Sequence, residues 1–305
     1  MNLQGCGTAL ITPFQADGSI DESALVALVD WQIESGVHFL IPCGTTGEAA
    51  TLTSSETERV IELVCATAAG RVPVFAGCTH NSTAEAVARV QSLARVPGLS
   101  GLLTANPYYN RPNQEGQYQH FKAIANAVDL PILLYNIPSR TGANLEPATV
   151  RRLAEITNVI GIKESSGNLV QITELLTTLS PEFKVFAGDD VLALPILALG
   201  AVGLISVASN VIPAETARLT QAAIDGDWAR ARSINREFYK LMQSLFLEPS
   251  PAPAKALLNI MGRAHDALRL PLVSVSAPVR QRLEDLIAEI AQLHGVSTAR
   301  DLHMV

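Results

Sequence analysis

The chain has 305 residues, of which 48% are hydrophobic and 17% charged, and carries a formal net charge of −7. That balance describes a soluble protein with an acidic surface and enough chain to bury a full core, and it gives no ground for a nucleic-acid or membrane-surface partner. The apolar stretch 191–207 is interrupted by Pro195, Gly200, Gly203 and Ser206, so it reads as buried helix and strand rather than as a membrane span.

Met1-Asn2-Leu3-Gln4 leads almost directly into a strand-like segment over 7–12, without the basic and apolar run of a secretory leader, so a cytoplasmic location is expected. A helix over 21–35 follows, with Leu25, Leu28, Val29 and Gln32 at helical spacing and Gly36 fitted to its C-terminal cap. The second strand is 39–42. Ser54 or Ser55, ahead of Glu58, resembles a capping-box entry to a helix ending near Gly70. The third strand, 73–77, precedes a helix over 82–94 that would bury Ala84, Val87, Ala88 and Leu93. Strand four (101–104), a loop rich in Pro, Tyr and Asn, a helix (115–127), strand five (131–135), another helix, and strands six (159–164), seven (184–188) and eight (202–206) continue the beat.

Strand and helix in regular alternation predict an α/β fold with a parallel sheet, and eight units fit a closed (β/α)8 TIM barrel. A doubly wound open sheet would not need eight units, and no G-x-G-x-x-G fingerprint is present. The barrel is assigned to 1–225. Residues 226–305 form a C-terminal helical region packed beside it, entered through the break Glu248-Pro249-Ser250-Pro251-Ala252-Pro253, and the last ten residues read as a loosely held tail. Cys6, Cys43, Cys65 and Cys78 lack close pairing and are read as free buried thiols. The six histidines lack ligand spacing and Asp189-Asp190 point apart in extended chain, so neither a metal nor another cofactor is expected.

Strand six, Val159-Ile160-Gly161-Ile162-Lys163-Glu164, ends on a lysine. Alternation sends Ile160 and Ile162 to one face and Gly161 and Lys163 to the other. A lysine at the rim of an apolar strand is poorly hydrated, and lowering its pKa from roughly 10.4 to about 7 to 8, which makes it a nucleophile, takes about 4 kcal/mol of differential solvation. Alternatively it caps the strand end and reaches solvent. Barrel active sites lie at the C-terminal ends of the strands. After strand two, Gly44-Thr45-Thr46-Gly47-Glu48 offers backbone N–H groups and hydroxyls suited to a carboxylate or phosphate. After strand four, Pro107-Tyr108-Tyr109-Asn110-Arg111-Pro112 places two aromatics where they cover a pocket or meet a neighbouring subunit. After strand five comes Tyr135-Asn136-Ile137-Pro138-Ser139-Arg140-Thr141-Gly142, in which Tyr135 shares the inner face with Lys163, either to pass protons or as a packed rim tyrosine. Arg140 either clamps a carboxylate bidentately or makes a surface ion pair.

These four motifs, in order and in register, resemble the signatures of the dihydrodipicolinate synthase family, among the class I pyruvate-dependent aldolases that also include N-acetylneuraminate lyase. The resemblance covers about the whole barrel. It implies that Lys163 forms a Schiff base with pyruvate, that the derived enamine attacks L-aspartate-4-semialdehyde, and that Tyr135, Thr45 and Tyr109 relay protons, Tyr109 being lent by a neighbouring subunit of a homotetramer built as a dimer of dimers. It places Thr46 on the pyruvate carboxylate, Arg140 on that of the semialdehyde, and Gly188 and Ile205 in the pocket lining. Arg140 in its Ser-Arg-Thr-Gly context tilts the reading towards the synthase and away from another pyruvate-dependent aldolase, lyase or dehydratase acting on a different aldehyde or a sugar acid. An idle barrel serving as a scaffold does not account for the intact polar set. Asn81, Glu85 and Tyr108 match an allosteric lysine site of some relatives, while Ser54 and Thr57 stand where some carry histidines, so lysine sensitivity is expected to be weakened.

Overall fold

The computed structural model describes residues 3–293. Strands and helices alternate as β1 (Gly5–Ala9), α1 (Glu22–Glu34), β2 (Phe39–Ile41), α2 (Ser54–Ala68), β3 (Phe75–Gly77), α3 (Thr83–Leu93), β4 (Gly101–Ala105), α4 (Gln114–Ala125) and β5 (Ile132–Asn136). They continue through the one-turn α5 (Pro138–Thr141), α6 (Pro147–Ala154), β6 (Val159–Glu164), α7 (Leu169–Thr178), β7 (Lys184–Ala187), α8 (Ala193–Ala198), β8 (Gly203–Ser206) and α9 (Pro213–Ile224). The ladder runs β2-β1-β8-β7-β6-β5-β4-β3, and a parallel bridge from Leu40 to Val74 returns β3 to β2, closing a (β/α)8 barrel. Three more helices follow: α10 (Trp228–Ser244), α11 (Ala252–Ile260) and α12 (Ala277–Leu293). The last ten residues, read from sequence as a tail, lie outside the described residues. Among the described residues no helix is long and apolar enough to cross a membrane.

Alternation along the strands divides the apolar side chains into two sets. Leu40, Leu102, Leu134, Ile162, Val185 and Leu204 pack outward under the helices, while Phe39, Phe75, Leu103, Leu133, Phe186 and Ile205 fill the barrel. Inside, the Phe39 ring meets Phe186 and Phe75 edge-on, with centroids 5.4 and 6.4 Å apart. Gly7 makes this possible, because a Cβ there would lie 2.1 Å from the Phe39 ring.

Three expectations are corrected. The register shifts between Ile132 and Leu133, which pair with Val159 and Gly161, so Ile160 is a bulged residue that packs against the interior set while Ile162 joins the outer one. Ile160 and Ile162 therefore do not share a face. The capping box at α2 is made by Thr53 and Glu56 rather than by Ser54 or Ser55 with Glu58, because the helix starts one residue earlier than the serines suggest. On α3 the buried residues are Ala86, Val90 and Leu93, and Ala84 and Ala88 are exposed. An alanine carries too little apolar surface to fix which way a helix faces.

The segment between α11 and α12 reaches back to α2. Arg269 donates to both oxygens of Glu56, at 2.6 and 2.9 Å, and to the carbonyls of Gly18 and Thr51, each at 2.9 Å. Arg269 first, with the Thr53 N–H and hydroxyl, holds the Glu56 carboxyl at about 2. A depressed carboxylate stabilises the fold above its unfolded pKa and loses that contribution as pH falls through the folded value. Glu56→Gln should thus cost about 1 kcal/mol at neutral pH, allowing for solvent screening, with the gap in melting temperature closing as pH is lowered from about 4.5 towards 2. A gap independent of pH would contradict the assignment.

Candidate active site

Downstream of the bulge, Gly161 pairs with Leu133 and Lys163 with Tyr135, which turns the lysine into the barrel beside the tyrosine of the neighbouring strand. Lys163 is 4% exposed, and its Nζ stands 4.4 Å from the centroid of the buried Tyr135 ring. No carboxylate forms an ion pair with it among the described residues; the ring face is the partner of its charge, an interaction worth ~0.5–2 kcal/mol.

Room for the lysine comes from Gly188, just beyond β7. A Cβ at this position would lie 1.9 Å from Ser165 Oγ, 2.9 Å from Lys163 Cγ and 3.0 Å from Lys163 Cε. Ser165 Oγ is itself buried without a hydrogen-bond partner. Ile205 belongs to the same interior set as Tyr135 and Phe186. Lys163, Tyr135, Gly188 and Ile205 are thus brought together inside the mouth.

Behind this face the strand ends are locked by a polar cluster to which sequence reading gave no role. The Glu164 carboxylate, fully buried, accepts from the Ser166 N–H (2.6 Å), Asn136 Nδ2 (3.0 Å) and Gln171 Nε2 (3.3 Å). Asn136 Nδ2 also donates to Asn144 Oδ1 (2.9 Å), and Asn136 Oδ1 accepts from the Leu145 N–H (2.9 Å). Burial raises the Glu164 carboxyl, and the hydrogen bonds from Ser166, Asn136 and Gln171 offset part of that rise. Only the adjacency of Asn136 to Tyr135 and of Glu164 to Lys163 signals the cluster in sequence.

The remaining candidates lie in loops at the same C-terminal end of the barrel. In the β2 loop, Thr45 is exposed and Thr46 buried, and the turn closes through Gly47 N to Gly44 O and Glu48 N to Thr45 O, each 3.1 Å. Arg140 sits on α5, exposed and without an ion-pair partner among the described residues. Arg111, not singled out from sequence, donates through Nε to Gly142 O (2.9 Å) and so joins the β4 loop to the β5 loop. Tyr109 is 88% exposed at φ 72°, a left-handed backbone rare for a bulky residue. It lies at the surface, whereas Lys163 is buried.

Of the three residues assigned to a lysine effector, Glu85 borders a cavity of about 220 Å³ with Ser54, Thr57, Glu58 and Arg89. Asn81 and Tyr108 are not among its lining residues; Asn81 O accepts from Asn110, and Tyr108 packs against His80. Asp190, weighed and rejected as a metal ligand, caps the β8 loop by accepting from Ser206 Oγ and the Val207 and Ala208 N–H groups.

Since a methyl group at position 188 collides with the lysine stem, Gly188→Ala should displace Lys163 and lower stability by about 1–3 kcal/mol, read from the urea midpoint at unchanged slope. An unaltered midpoint would show that the contact is not tight.

Comparison with known proteins identifies the family. The family model described as the dihydrodipicolinate synthetase family matches residues 2–290. The chain is 56% identical over 294 residues to the 4-hydroxy-tetrahydrodipicolinate synthase of Acidobacterium capsulatum, covering 96% of this chain and 97% of that protein. The crystal structure of dihydrodipicolinate synthase from Aquifex aeolicus matches with a TM-score of 0.92 at 42% identity, over 97% of this chain and 99% of its own. That of the chloride-inhibited dihydrodipicolinate synthase from Acinetobacter baumannii, complexed with pyruvate, gives 0.93 at 39% identity, over 95% and 99%. With the family model and whole-length relatives in agreement, the chain belongs to the dihydrodipicolinate synthetase family.

Proposed function

We propose that this chain is a 4-hydroxy-tetrahydrodipicolinate synthase, a lyase that condenses pyruvate with L-aspartate-4-semialdehyde in lysine and diaminopimelate biosynthesis, with Lys163 as its Schiff-base nucleophile. The observation that carries the reading is the buried Lys163 amine, unpaired with any carboxylate among the described residues and facing Tyr135 in the mouth of the barrel. An amine so placed adds to the ketone carbon of pyruvate, and loss of the carbonyl oxygen as water leaves a cationic imine that acts as an electron sink. A methyl proton is then lost, the enamine carbon attacks the aldehyde, and the semialdehyde's own amine closes the ring at the imine carbon and releases Lys163.

Tyr135, Thr45 and Tyr109 carry the protons in this scheme. The exposure of Tyr109 supports its service to the site of a neighbouring subunit, in a homotetramer arranged as a dimer of dimers. Thr46 and the adjacent backbone hold the pyruvate carboxylate, Gly188 and Ile205 line the pocket, and the exposed guanidinium of Arg140 receives the carboxylate of the semialdehyde. The four buried cysteines are free thiols, which suits a reducing cytoplasm. A lysine effector site at Asn81, Glu85 and Tyr108 belongs to the same proposal, with Ser54 and Thr57 making it a weak one.

Pyruvate with borohydride should leave an N-carboxyethyl adduct on Lys163, located by peptide mass, and Lys163→Ala should abolish it. Absence of the adduct would refute the Schiff-base reading, and an adduct without turnover of the semialdehyde would favour a related pyruvate aldolase acting on a different partner. Arg140→Ala should raise KM for the semialdehyde about tenfold or more, the loss of a charge-assisted contact, while that for pyruvate changes little. Equal losses on both substrates would contradict the role given to Arg140.

A further inference from the structure

Far along the chain from the catalytic motifs, Lys255 of α11 is completely buried, and so is the side chain it meets, Glu48 at the end of the Thr45-Thr46 turn; Nζ and Oε1 are 2.5 Å apart. Lys255 also donates to Ala267 O at 2.9 Å and stands 4.2 Å over the Phe14 ring. Glu48 Oε2 accepts the Arg269 N–H at 3.1 Å, and Oε1 makes no directed hydrogen bond, so the ammonium is what faces its charge. We propose that Lys255 is a positioning residue for pyruvate: by holding Glu48 from below, it fixes the turn that presents Thr45, Thr46 and their backbone to the substrate carboxylate.

Stability alone does not account for the pair. Two charges removed from water incur a desolvation cost that their attraction barely returns, and apolar residues of similar size fill such a space as well or better. What the charges supply is direction. Glu48 sits at φ 53°, a left-handed backbone unfavourable for any residue but glycine, and its N–H closes the turn on Thr45 O. Its carbonyl accepts from the Thr51 N–H and Thr51 Oγ1, both at 3.0 Å, and the carbonyl of the preceding Gly47 accepts from Thr12 Oγ1 at 2.7 Å. Every backbone group at the end of the turn is thus committed, and the carboxylate is the one long lever by which another part of the chain sets its tilt. Burial lowers the Lys255 ammonium to about 8, and the Glu48 carboxylate beside it opposes that fall. A turn held in this way meets an incoming carboxylate already ordered, and little freedom remains to be lost on binding.

The inference rests on the assignment of the Thr45-Thr46 turn to the pyruvate carboxylate. Lys255→Met leaves Glu48 buried and unpaired, so the informative variant is Lys255→Met combined with Glu48→Gln, which removes both charges and keeps an amide oxygen for the Arg269 N–H. Half-saturating pyruvate is read from the yield of the borohydride adduct at Lys163, alongside KM, kcat and thermal melting. The double variant should need about tenfold or more pyruvate, with kcat at saturation altered less and the adduct still on Lys163. A folded double variant whose trapping curve overlays that of the native protein overturns the proposal. No adduct in the native protein overturns instead the assignment on which it rests.

Discussion

The site depends on the register between β5 and β6. Side chains alternate along a strand, so a slip by one residue would send Lys163 out among the aliphatic side chains under the helices and bring Ile162 or Glu164 into the mouth. The bulge at Ile160 absorbs one residue early in β6, and beyond it Gly161, Ile162, Lys163 and Glu164 pair in step with β5 and β7 alike. The interior stays filled around the lysine because Ile160 precedes it on the same strand and Phe186 pairs with it on β7, both in the interior set. The surroundings of the amine follow from pairing: the strand decides which face the amine occupies, and the ring of Tyr135 and the missing Cβ of Gly188 decide what it meets there.

The Glu164 cluster is the other half of that constraint. A buried carboxylate is tolerated where its lone pairs are filled, and once filled it specifies one arrangement of the groups that fill it. Glu164 collects donors from the β6 loop, from Asn136 at the end of β5 and from Gln171 on α7. Asn136 and Glu164 are the residues directly after Tyr135 and Lys163 and point to the opposite face, so the inner pair faces the mouth while the outer pair holds the two strand ends together. Asn144 and Gln171 extend this hold to the loop that carries α5 and Arg140.

Much of this was legible in the sequence. The eight-beat alternation gives the barrel, and the strand six motif gives a lysine at its mouth with Tyr135 alongside. What the sequence hides has physical causes. A bulge leaves no compositional mark, because Ile160 is as apolar as its neighbours whichever way it faces. Thr53, Ser54 and Ser55 are all competent N-caps, and Arg269, more than two hundred residues away, is what completes the Glu56 arrangement. Alternation places Gly161 on the lysine's face, yet it cannot show that the lysine stem lies against Gly188 of the next strand. Lys255 stands in the run Pro251-Ala252-Pro253-Ala254-Lys255, where nothing distinguishes a buried cation from a surface one. Charges paired across a fold are written at two distant places, and neither place alone announces the other.

The closure of the barrel is uneven. Every neighbouring pair of strands shares a ladder except β2 and β3, which join through the bridge of Leu40 and Val74 and through hydrogen bonds from the Leu40 N–H to Pro73 O (3.0 Å) and from the Gly77 N–H to Pro42 O (2.9 Å). In mechanical terms this is the lightest seam of the ring, and the Thr45-Thr46 turn follows one of the two strands that border it. A surface expected to receive a small anion repeatedly in one orientation thus begins beside the seam with the fewest cross-strand bonds. Bracing from α11 and the Arg269 segment, both acting on Glu48, gives the turn a second support besides that seam.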